Sequence, residues 1–294
     1  MLTKEEFSEI LSAGPCLLDG ATGSYLRAHG MPRDCATEEW VLRNPEVLVE
    51  LQRGYAQAGS RIVYAPTFQA QPIALKKIGL ENHTEAINAQ LIALSRSAAP
   101  NCLVAGDIAT LAAFCDSWDP DNFDLLLESY RRQIRGLIDG GADLLVGETL
   151  LYPQEAEAIL TAAELEGAGA TMITFSMQSG GFLYSGHDAG PLMGQLEQWG
   201  ACAVGFNCVA ADDMTCHLVS KLRRFTKLPL ISKPNAGNPV INDQGQAEYH
   251  LDPQPFARIQ LECLQGGASI LGGCCGTTPA HMEALHKALH KALA

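Results

Sequence analysis

The clearest candidate for chemistry is a pair of adjacent cysteines inside a glycine-rich run. Cys274 and Cys275 follow Gly272 and Gly273 and precede Gly276. Neighbouring side chains on a regular strand point to opposite faces, so both sulfurs can reach one metal ion only where the backbone leaves strand geometry. Glycine tolerates φ and ψ values that other residues avoid, and it permits this departure. The pattern favours a metal site over its alternatives, a vicinal disulfide or two buried apolar cysteines.

The size and charge of the chain exclude several classes of protein. Its 294 residues fit one large domain, and α/β barrels commonly reach this length. The net charge of −13 argues against binding to nucleic acid, which needs clustered Lys and Arg, and against an anionic membrane surface. We therefore expect neither nucleic acid nor a membrane among the partners.

The location is predicted to be cytoplasmic. The N-terminal residues 1–7 are acidic and lack the basic segment and apolar core of a secretory signal, and no apolar run is long enough to span a bilayer. In a reducing compartment the 10 cysteines are not expected to form a disulfide framework. Most of them are predicted to fill the core, and a few to act as ligands or nucleophiles.

Eight short apolar runs alternate with helical patterns along the chain. Continuous apolar runs of this length are typical of strands that are buried on both faces of a parallel sheet. The alternation predicts a single (β/α)8 TIM barrel that forms one domain over residues 1–294. An open doubly wound sheet is the alternative, and it is disfavoured because no G-x-G-x-x-G follows the first strand. The runs comprise residues 16–19, 62–65, 102–107, 143–148, 172–176, 202–208, 228–232 and 268–272.

Barrel enzymes gather their reactive groups at the C-terminal ends of the strands. The first, sixth, seventh and eighth strands are near neighbours on a closed barrel, so Cys208 is expected to meet Cys274 and Cys275 across about 65 residues of sequence. The polar residues predicted at strand ends are Asp19 on the first strand, Glu148 on the fourth, Asn207 and Cys208 on the sixth, Lys233 after the seventh, and the cysteine pair on the eighth.

Three sulfur ligands with one position left open are typical of catalytic zinc, and sulfur donors favour zinc or copper(I) over magnesium or calcium. A zinc ion with three thiolates carries a net negative charge and suits a fourth thiolate ligand better than hydroxide. Because thiolate is the nucleophilic form of sulfur, such a site points to alkyl transfer onto a thiol.

The polar residues near the first and fourth strands suit an amino-acid substrate. Asp19 and Glu148 could bind an α-ammonium group through charge-assisted hydrogen bonds. The turn that follows, with Ala21 and Thr22, could present backbone N–H groups to a carboxylate. The alternatives are salt bridges at the barrel mouth for the two carboxylates and an ordinary loop for the turn.

Two other functions fit parts of this pattern. Lys233 at the mouth could form a Schiff base in a barrel lyase, with the cysteines in structural roles. A non-catalytic barrel with a bound zinc ion, or one that senses redox state through a Cys274–Cys275 disulfide, is the third hypothesis.

Four motifs resemble, in order, those of the homocysteine S-methyltransferase family. They are Asp-Gly-Ala-Thr-Gly at 19–23, Gly-Glu-Thr at 147–149, Gly-Phe-Asn-Cys at 205–208 and Gly-Gly-Cys-Cys-Gly at 272–276. The resemblance, from about Gly14 to Leu285, implies a (β/α)8 barrel that methylates homocysteine to methionine. It implies Zn²⁺ as cofactor on Cys208, Cys274 and Cys275. By position, the residues assigned to the substrate are Asp19, Ala21, Thr22, Glu148 and Asn207.

The segment Ser-Lys-Pro-Asn-Ala-Gly-Asn-Pro at 232–239 most resembles the homocysteine module of cobalamin-dependent methionine synthase. It resembles the betaine and S-methylmethionine branches less. This resemblance implies a methyl-corrinoid donor, such as methylcobalamin on a separate corrinoid protein or domain, because we expect no folate or cobalamin domain in a chain of this length.

The chain departs from the family pattern in two loops. Ala109 and Thr110 follow Gly-Asp-Ile where the family usually has Gly-Pro, and His187 follows Ser-Gly where the family commonly has Thr. Both loops are expected at the barrel mouth, where a methyl donor approaches. The departures concern the donor side and leave the zinc and homocysteine assignments unchanged. The oligomeric state is left open, as is an acceptor related to homocysteine, such as selenohomocysteine.

Overall fold

Eight short parallel strands form the centre of the protein. The computed structural model describes residues 1–178, 180–243 and 245–293, and all strands and helices below lie in these ranges. A small antiparallel hairpin follows the seventh barrel strand. The barrel strands are β1 (Cys16–Leu17), β2 (Ile62–Tyr64), β3 (Leu103–Ala109), β4 (Leu144–Leu150), β5 (Thr171–Phe175), β6 (Ala203–Ala210), β7 (Leu230–Asn235) and β10 (Ala268–Leu271), and the hairpin strands are β8 (Val240–Ile241) and β9 (Ala247–Glu248).

The sheet closes on itself. Its strands run in the order β1-β10-β7-β6-β5-β4-β3-β2, and a parallel bridge between Leu18 and Ile62 joins the two ends. The structure thus confirms the predicted (β/α)8 barrel and rules out the open sheet. The eight predicted apolar runs match the eight strands to within three residues at every boundary.

Helices surround the barrel and shield its outer face. Several begin with proline, which suits the first helical turn because the N–H groups there have no partner within the helix. The helices are α1 (Lys4–Ser12), α2 (Gly23–Ala28), α3 (Thr37–Arg43), α4 (Pro45–Gln57), α5 (Pro72–Leu75), α6 (Thr84–Ala98), α7 (Phe123–Asp139), α8 (Pro153–Leu165), α9 (Ala189–Gln198), α10 (Thr215–Leu222), α11 (Pro253–Gln265) and α12 (Pro279–Leu293).

The first helix covers the N-terminal end of the barrel. A capping box between Thr3 and Glu6 starts α1, and Phe7 packs into the apolar cluster inside the barrel. Leu2 fixes this position because its N–H donates to the carbonyl of Asp143 at 2.7 Å and its carbonyl accepts from Ala170 at 2.8 Å. With this end covered, the C-terminal end of the barrel is where a ligand can enter.

No helix in the described part of the chain has both the length and the apolar character needed to cross a bilayer. The cytoplasmic location and the single-domain organisation of residues 1–294 stay predictions.

Glu155 joins two loops at the open end of the barrel. Its side chain is buried, and one carboxylate oxygen accepts from Thr110 Oγ1 at 2.6 Å and from the N–H of Leu111 at 2.8 Å. The other oxygen accepts from the N–H groups of Leu151 and Tyr152 at 3.1 and 3.3 Å. One carboxylate therefore fixes the loops that follow β3 and β4.

We expect Glu155→Ala to lower the free energy of unfolding by roughly 2–4 kcal/mol, because the buried N–H of Leu111 and the partly buried N–H groups of Leu151 and Tyr152 lose their acceptor. Urea denaturation followed by circular dichroism measures the change. Glu164→Ala, at an exposed position of the same helix, is the matched control and should have little effect. Equal stability of the two variants would contradict the proposed role of Glu155.

Candidate active site

Three cysteine sulfurs meet at the open end of the barrel. The Sγ atoms of Cys208, Cys274 and Cys275 lie within 4.8 Å of one another, and those of Cys208 and Cys275 are 4.0 Å apart. Cys208 lies in β6 and the other two follow β10, and both strands border β7. All 10 cysteines fall in the described ranges and are free thiols, so the structure contains no Cys274–Cys275 disulfide.

The cluster could hold one metal ion through three sulfur ligands. Among the described residues it is the one group of at least three His, Cys, Asp or Glu ligand atoms this close together, and no fourth such side chain joins it. Three protein ligands leave a coordination position for a substrate, as in catalytic zinc sites.

The backbone at this cluster is subject to two different constraints, unusual φ values and a lack of space for side chains. Cys208 and Gly276 have positive φ values of 57° and 77°, and such values are uncommon outside glycine. Gly272 and Gly273 are required by space instead. A Cβ atom on Gly273 would lie 2.4 Å from Thr277 Oγ1, and one on Gly272 would lie 2.7 Å from Leu18 Cβ. The prediction that the glycines permit an unusual backbone is therefore right for Gly276 alone.

Asn207 uses its side chain to hold the site together. Its Oδ1 accepts from the N–H of Thr149 and from Thr174 Oγ1, both at 2.9 Å. Its Nδ2 donates to Thr149 Oγ1 at 2.6 Å and to Cys274 Sγ at 3.7 Å. Thr149 has a positive φ of 58°, and these bonds stabilise that strained conformation. Asn207 thus orients Cys274 and Thr149, and its contact with the substrate stays a prediction.

The turn after β1 is fastened to the cysteine loop. The N–H of Ala21 donates to Thr277 Oγ1 at 3.1 Å, and Thr277 in turn donates to the carbonyl of Cys274 at 2.7 Å. Tyr55 donates to the carbonyl of Ala21 at 2.8 Å. The Ala21 N–H therefore already has a partner, and the binding of a substrate carboxylate by Ala21 and Thr22 stays a prediction.

A buried lysine sits among carboxylates in the barrel interior. Lys233 Nζ lies 2.9 Å from Glu148 Oε1, 4.0 Å from Asp19 Oδ1 and 4.7 Å from the centre of the Tyr64 ring. Lys233, Glu148 and Asp19 are only 3%, 7% and 1% exposed. The predicted position of Lys233 after the seventh strand is wrong, because Lys233 lies within β7. An inward-facing position and the opposite charges explain why it is buried.

The buried charges shift one another's pKa. Burial raises the pKa of Asp19 to about 7, against the opposing effects of Lys233 and the N–H of Tyr64. Burial also raises the pKa of Glu148. Burial alone would lower the pKa of Lys233, yet Glu148 and the other nearby anions hold it well above its ordinary value. A lysine that stays protonated is a poor nucleophile, which disfavours the Schiff-base hypothesis.

Asp107 and Tyr64 are site residues that the sequence motifs did not predict. Asp107 lies in β3, is buried, and its carboxyl lies close to that of Glu148. It is two residues from Ala105, which lies in the apolar cluster inside the barrel, so both face inward. A charged residue at an inward-facing position of an apolar strand was the signal that could have identified it.

The fold and the cysteine cluster define a (β/α)8 barrel suited to thiol chemistry. The model of the family described as Homocysteine S-methyltransferase matches residues 16–289. The chain belongs to the homocysteine S-methyltransferase family, and it is a thiol methyltransferase that acts on homocysteine.

Individual relatives agree with this assignment. The chain is 29% identical to Homocysteine S-methyltransferase from Escherichia coli (strain K12), over 92% of this chain and 93% of that protein. It is 27% identical to Methionine synthase from Mycobacterium tuberculosis (strain ATCC 25618 / H37Rv), over 94% of this chain and 24% of that protein. The similar identities do not separate the two branches, so the resemblance to the cobalamin-dependent branch stays a prediction.

Solved structures share both the fold and the sequence pattern. The metallated form of the homocysteine methyltransferase MmuM from Escherichia coli superimposes with a TM-score of 0.81 at 26% identity, covering 95% of this chain and 98% of that one. A metal ion is therefore compatible with a barrel of this family.

We expect Lys233→Met to lower the free energy of unfolding by roughly 3–5 kcal/mol, because it leaves buried carboxylates without their counter-charge. Urea denaturation at neutral pH measures the change. Lys227→Met, at an exposed position just before β7, is the matched control. If both variants unfold at the same urea concentration, the buried ion pairs do not stabilise the barrel.

Proposed function

We propose that this chain holds zinc on Cys208, Cys274 and Cys275 and methylates homocysteine, bound as its thiolate, to give methionine. The observation that carries the proposal is the group of three sulfurs within 4.8 Å of one another, which no fourth His, Cys, Asp or Glu of the described residues joins. Sulfur donors in this number favour zinc, and the open position suits the sulfur of the substrate.

The pKa values of the three thiols depend on one another, so a bound cation would change how many of them are ionised. Hydrogen bonds from Cys208 and Cys274 lower the pKa of Cys275 to about 3, and the contacts with Cys274 and Cys275 raise that of Cys208. By themselves the three groups therefore favour a single thiolate, since adjacent negative charges repel. A bound zinc ion would supply the Lewis acidity that keeps the homocysteine sulfur in its nucleophilic thiolate form.

The residues around the cluster would orient the substrate. Asp19 and Glu148 are proposed to hold its α-ammonium group, because both carboxylates are buried next to the open end and Asp19 Oδ1 has no hydrogen-bond partner. Asn207 is proposed to act on the substrate indirectly, through Cys274 and Thr149. The substrate carboxylate is assigned to the turn at Ala21 and Thr22, through backbone groups that Thr277 does not use.

We propose a methyl-corrinoid on a separate protein as the donor. The resemblance of residues 232–239 to the cobalamin-dependent branch and the similarity to a methionine synthase support this assignment. In the reaction the thiolate attacks the methyl carbon in line, so that the new carbon–sulfur bond forms as the bond to the donor breaks. The contribution of the chain is to place the thiolate and the donor in that geometry.

An aromatic group at the mouth favours a second kind of donor, S-methylmethionine or betaine. The ring of Trp118 lies 5.1 Å from that of His187 and 5.7 Å from that of Tyr152, and Trp118 is 48% exposed. The two loops that depart from the family pattern thus meet at Trp118 and His187. Ser179, in the loop that contains His187, lies outside the described residues. Aromatic faces attract sulfonium and quaternary ammonium groups.

We expect Cys208→Ala and Cys275→Ala to lose zinc and methionine formation while the barrel still folds, because two sulfur ligands bind zinc far more weakly than three. Metal analysis, turnover and circular dichroism measure the three properties. Cys216→Ala, on the outer helix α10, is the matched control and should keep both zinc and activity. Full zinc occupancy and turnover in either site variant would refute the assignment.

A donor panel separates the two kinds of methyl source. Methylcobalamin, methyltetrahydrofolate, betaine, S-methylmethionine and S-adenosylmethionine are each supplied with homocysteine under reducing conditions, and methionine is measured. We expect methylcobalamin to support turnover. If an onium compound is used instead, Trp118→Ala should raise the KM of that donor and leave the KM of homocysteine unchanged.

A further inference from the structure

The barrel interior contains a buried carboxyl group besides Asp19 and Glu148, the two that are proposed to bind the substrate amino group. Asp107 is a third, on β3, and it is 6% exposed. Lys233 faces all three groups and lowers the pKa of each, but burial still holds the pKa of Asp107 well above its ordinary value. Burial disfavours the charged form of a carboxyl group, so a ligand that brings a positive charge would stabilise the ionised carboxylates.

The hydrogen bonds of these groups are also incomplete. Asp19 uses Oδ2 to accept from the N–H of Tyr64 at 2.7 Å, but its Oδ1 is buried without a partner. Asp107 Oδ1 is buried without a partner too. A buried acceptor that lacks a donor costs free energy, so a ligand that supplies N–H donors to these oxygens would be stabilised there.

The backbone around Asp107 is held firmly in place. Thr67 Oγ1 accepts from its N–H at 2.9 Å and donates to its carbonyl at 2.8 Å, and Gln133 donates to the same carbonyl at 3.2 Å. Its position next to Glu148 follows from the pairing of β3 with β4, in which Ala109 is opposite Glu148. The carboxyl of Asp107 is therefore presented to the interior by a rigid frame.

We propose that Asp107 is a third carboxyl group of the amino-group subsite, which accepts a hydrogen bond from the substrate ammonium alongside Asp19 and Glu148. Lys233 is the fixed counter-charge, with its Nζ 2.9 Å from Glu148 Oε1 and 4.0 Å from Asp19 Oδ1. This inference rests on the proposed function, in which the acceptor is homocysteine. It names the feature by which the site selects an α-amino thiol over a simple thiol, namely unpaired buried acceptors matched to the N–H groups of an ammonium.

The selection arises because each kind of thiol leaves the subsite in a different state. An α-ammonium group brings a positive charge and N–H donors to Asp19 Oδ1 and Asp107 Oδ1. A thiol without an amino group leaves both acceptors unpaired, which is the situation in which sites built for hydrogen bonding discriminate most strongly.

The test compares homocysteine with 4-sulfanylbutanoate, which is the same molecule without its amino group. Dissociation constants for both are measured by calorimetry on the zinc-loaded protein, together with kcat and KM for homocysteine. Asp107→Asn keeps the shape of the side chain and removes its charge. Asp107→Ser is a second variant, which removes the carboxyl group without placing an amide in the same space. Asp121→Asn makes the same chemical change at an exposed position in the loop after β3 and is the matched control.

We expect both Asp107 variants to weaken homocysteine binding about 10- to 100-fold, the value of a hydrogen bond to a charged group, with zinc content unchanged. Binding of 4-sulfanylbutanoate should stay within about twofold, because the contact removed is absent from that ligand. Equal weakening of both ligands, or no weakening of homocysteine, overturns the inference alone. A wild-type protein that binds zinc but not homocysteine overturns the proposed function and this inference with it.

Discussion

Closure of the sheet is the constraint on which the rest of the structure depends. The parallel bridge between Leu18 and Ile62 joins the two ends of the sheet and places strands that are distant in its order on opposite walls of one interior. Lys233 on β7 and Glu148 on β4 are separated by two intervening strands, yet their side chains meet at 2.9 Å across the barrel. In an open sheet these groups could not approach each other, and burying either one alone would be strongly unfavourable.

The interior is divided along the barrel axis. At the N-terminal end, α1 and Phe7 complete an apolar cluster that needs no polar partner. Towards the C-terminal end the inward-facing positions become polar, with hydroxyl, amide, carboxyl and thiol groups. The apolar half stabilises the fold through burial, which frees the polar half to keep buried groups whose hydrogen bonds are incomplete.

The thiol cluster is the other place where local preferences yield to the site. Cys208 and Thr149 both adopt positive φ values, which a non-glycine residue takes at some cost in free energy. Asn207 offsets that cost because one side chain bonds to Thr149 twice, to Thr174 and to Cys274. The sulfur positions are thus set by hydrogen bonding around the cluster as much as by the cysteines themselves.

The order of apolar runs and helical patterns was sufficient to predict the barrel, because strands buried on both faces leave continuous apolar runs that the local sequence shows. The motifs were sufficient to predict which cysteines come together, since strand order on a closed barrel follows chain order. The contacts of Asp107, Tyr64 and Lys233 were decided by the tertiary structure. These contacts depend on which face of each strand points inward and on how far along the barrel axis each residue lies. A shift of one residue in a strand reverses the face. The sequence therefore determined the fold and which three cysteines meet, whereas only the closed barrel decided how its buried charges are paired and which acceptors stay open.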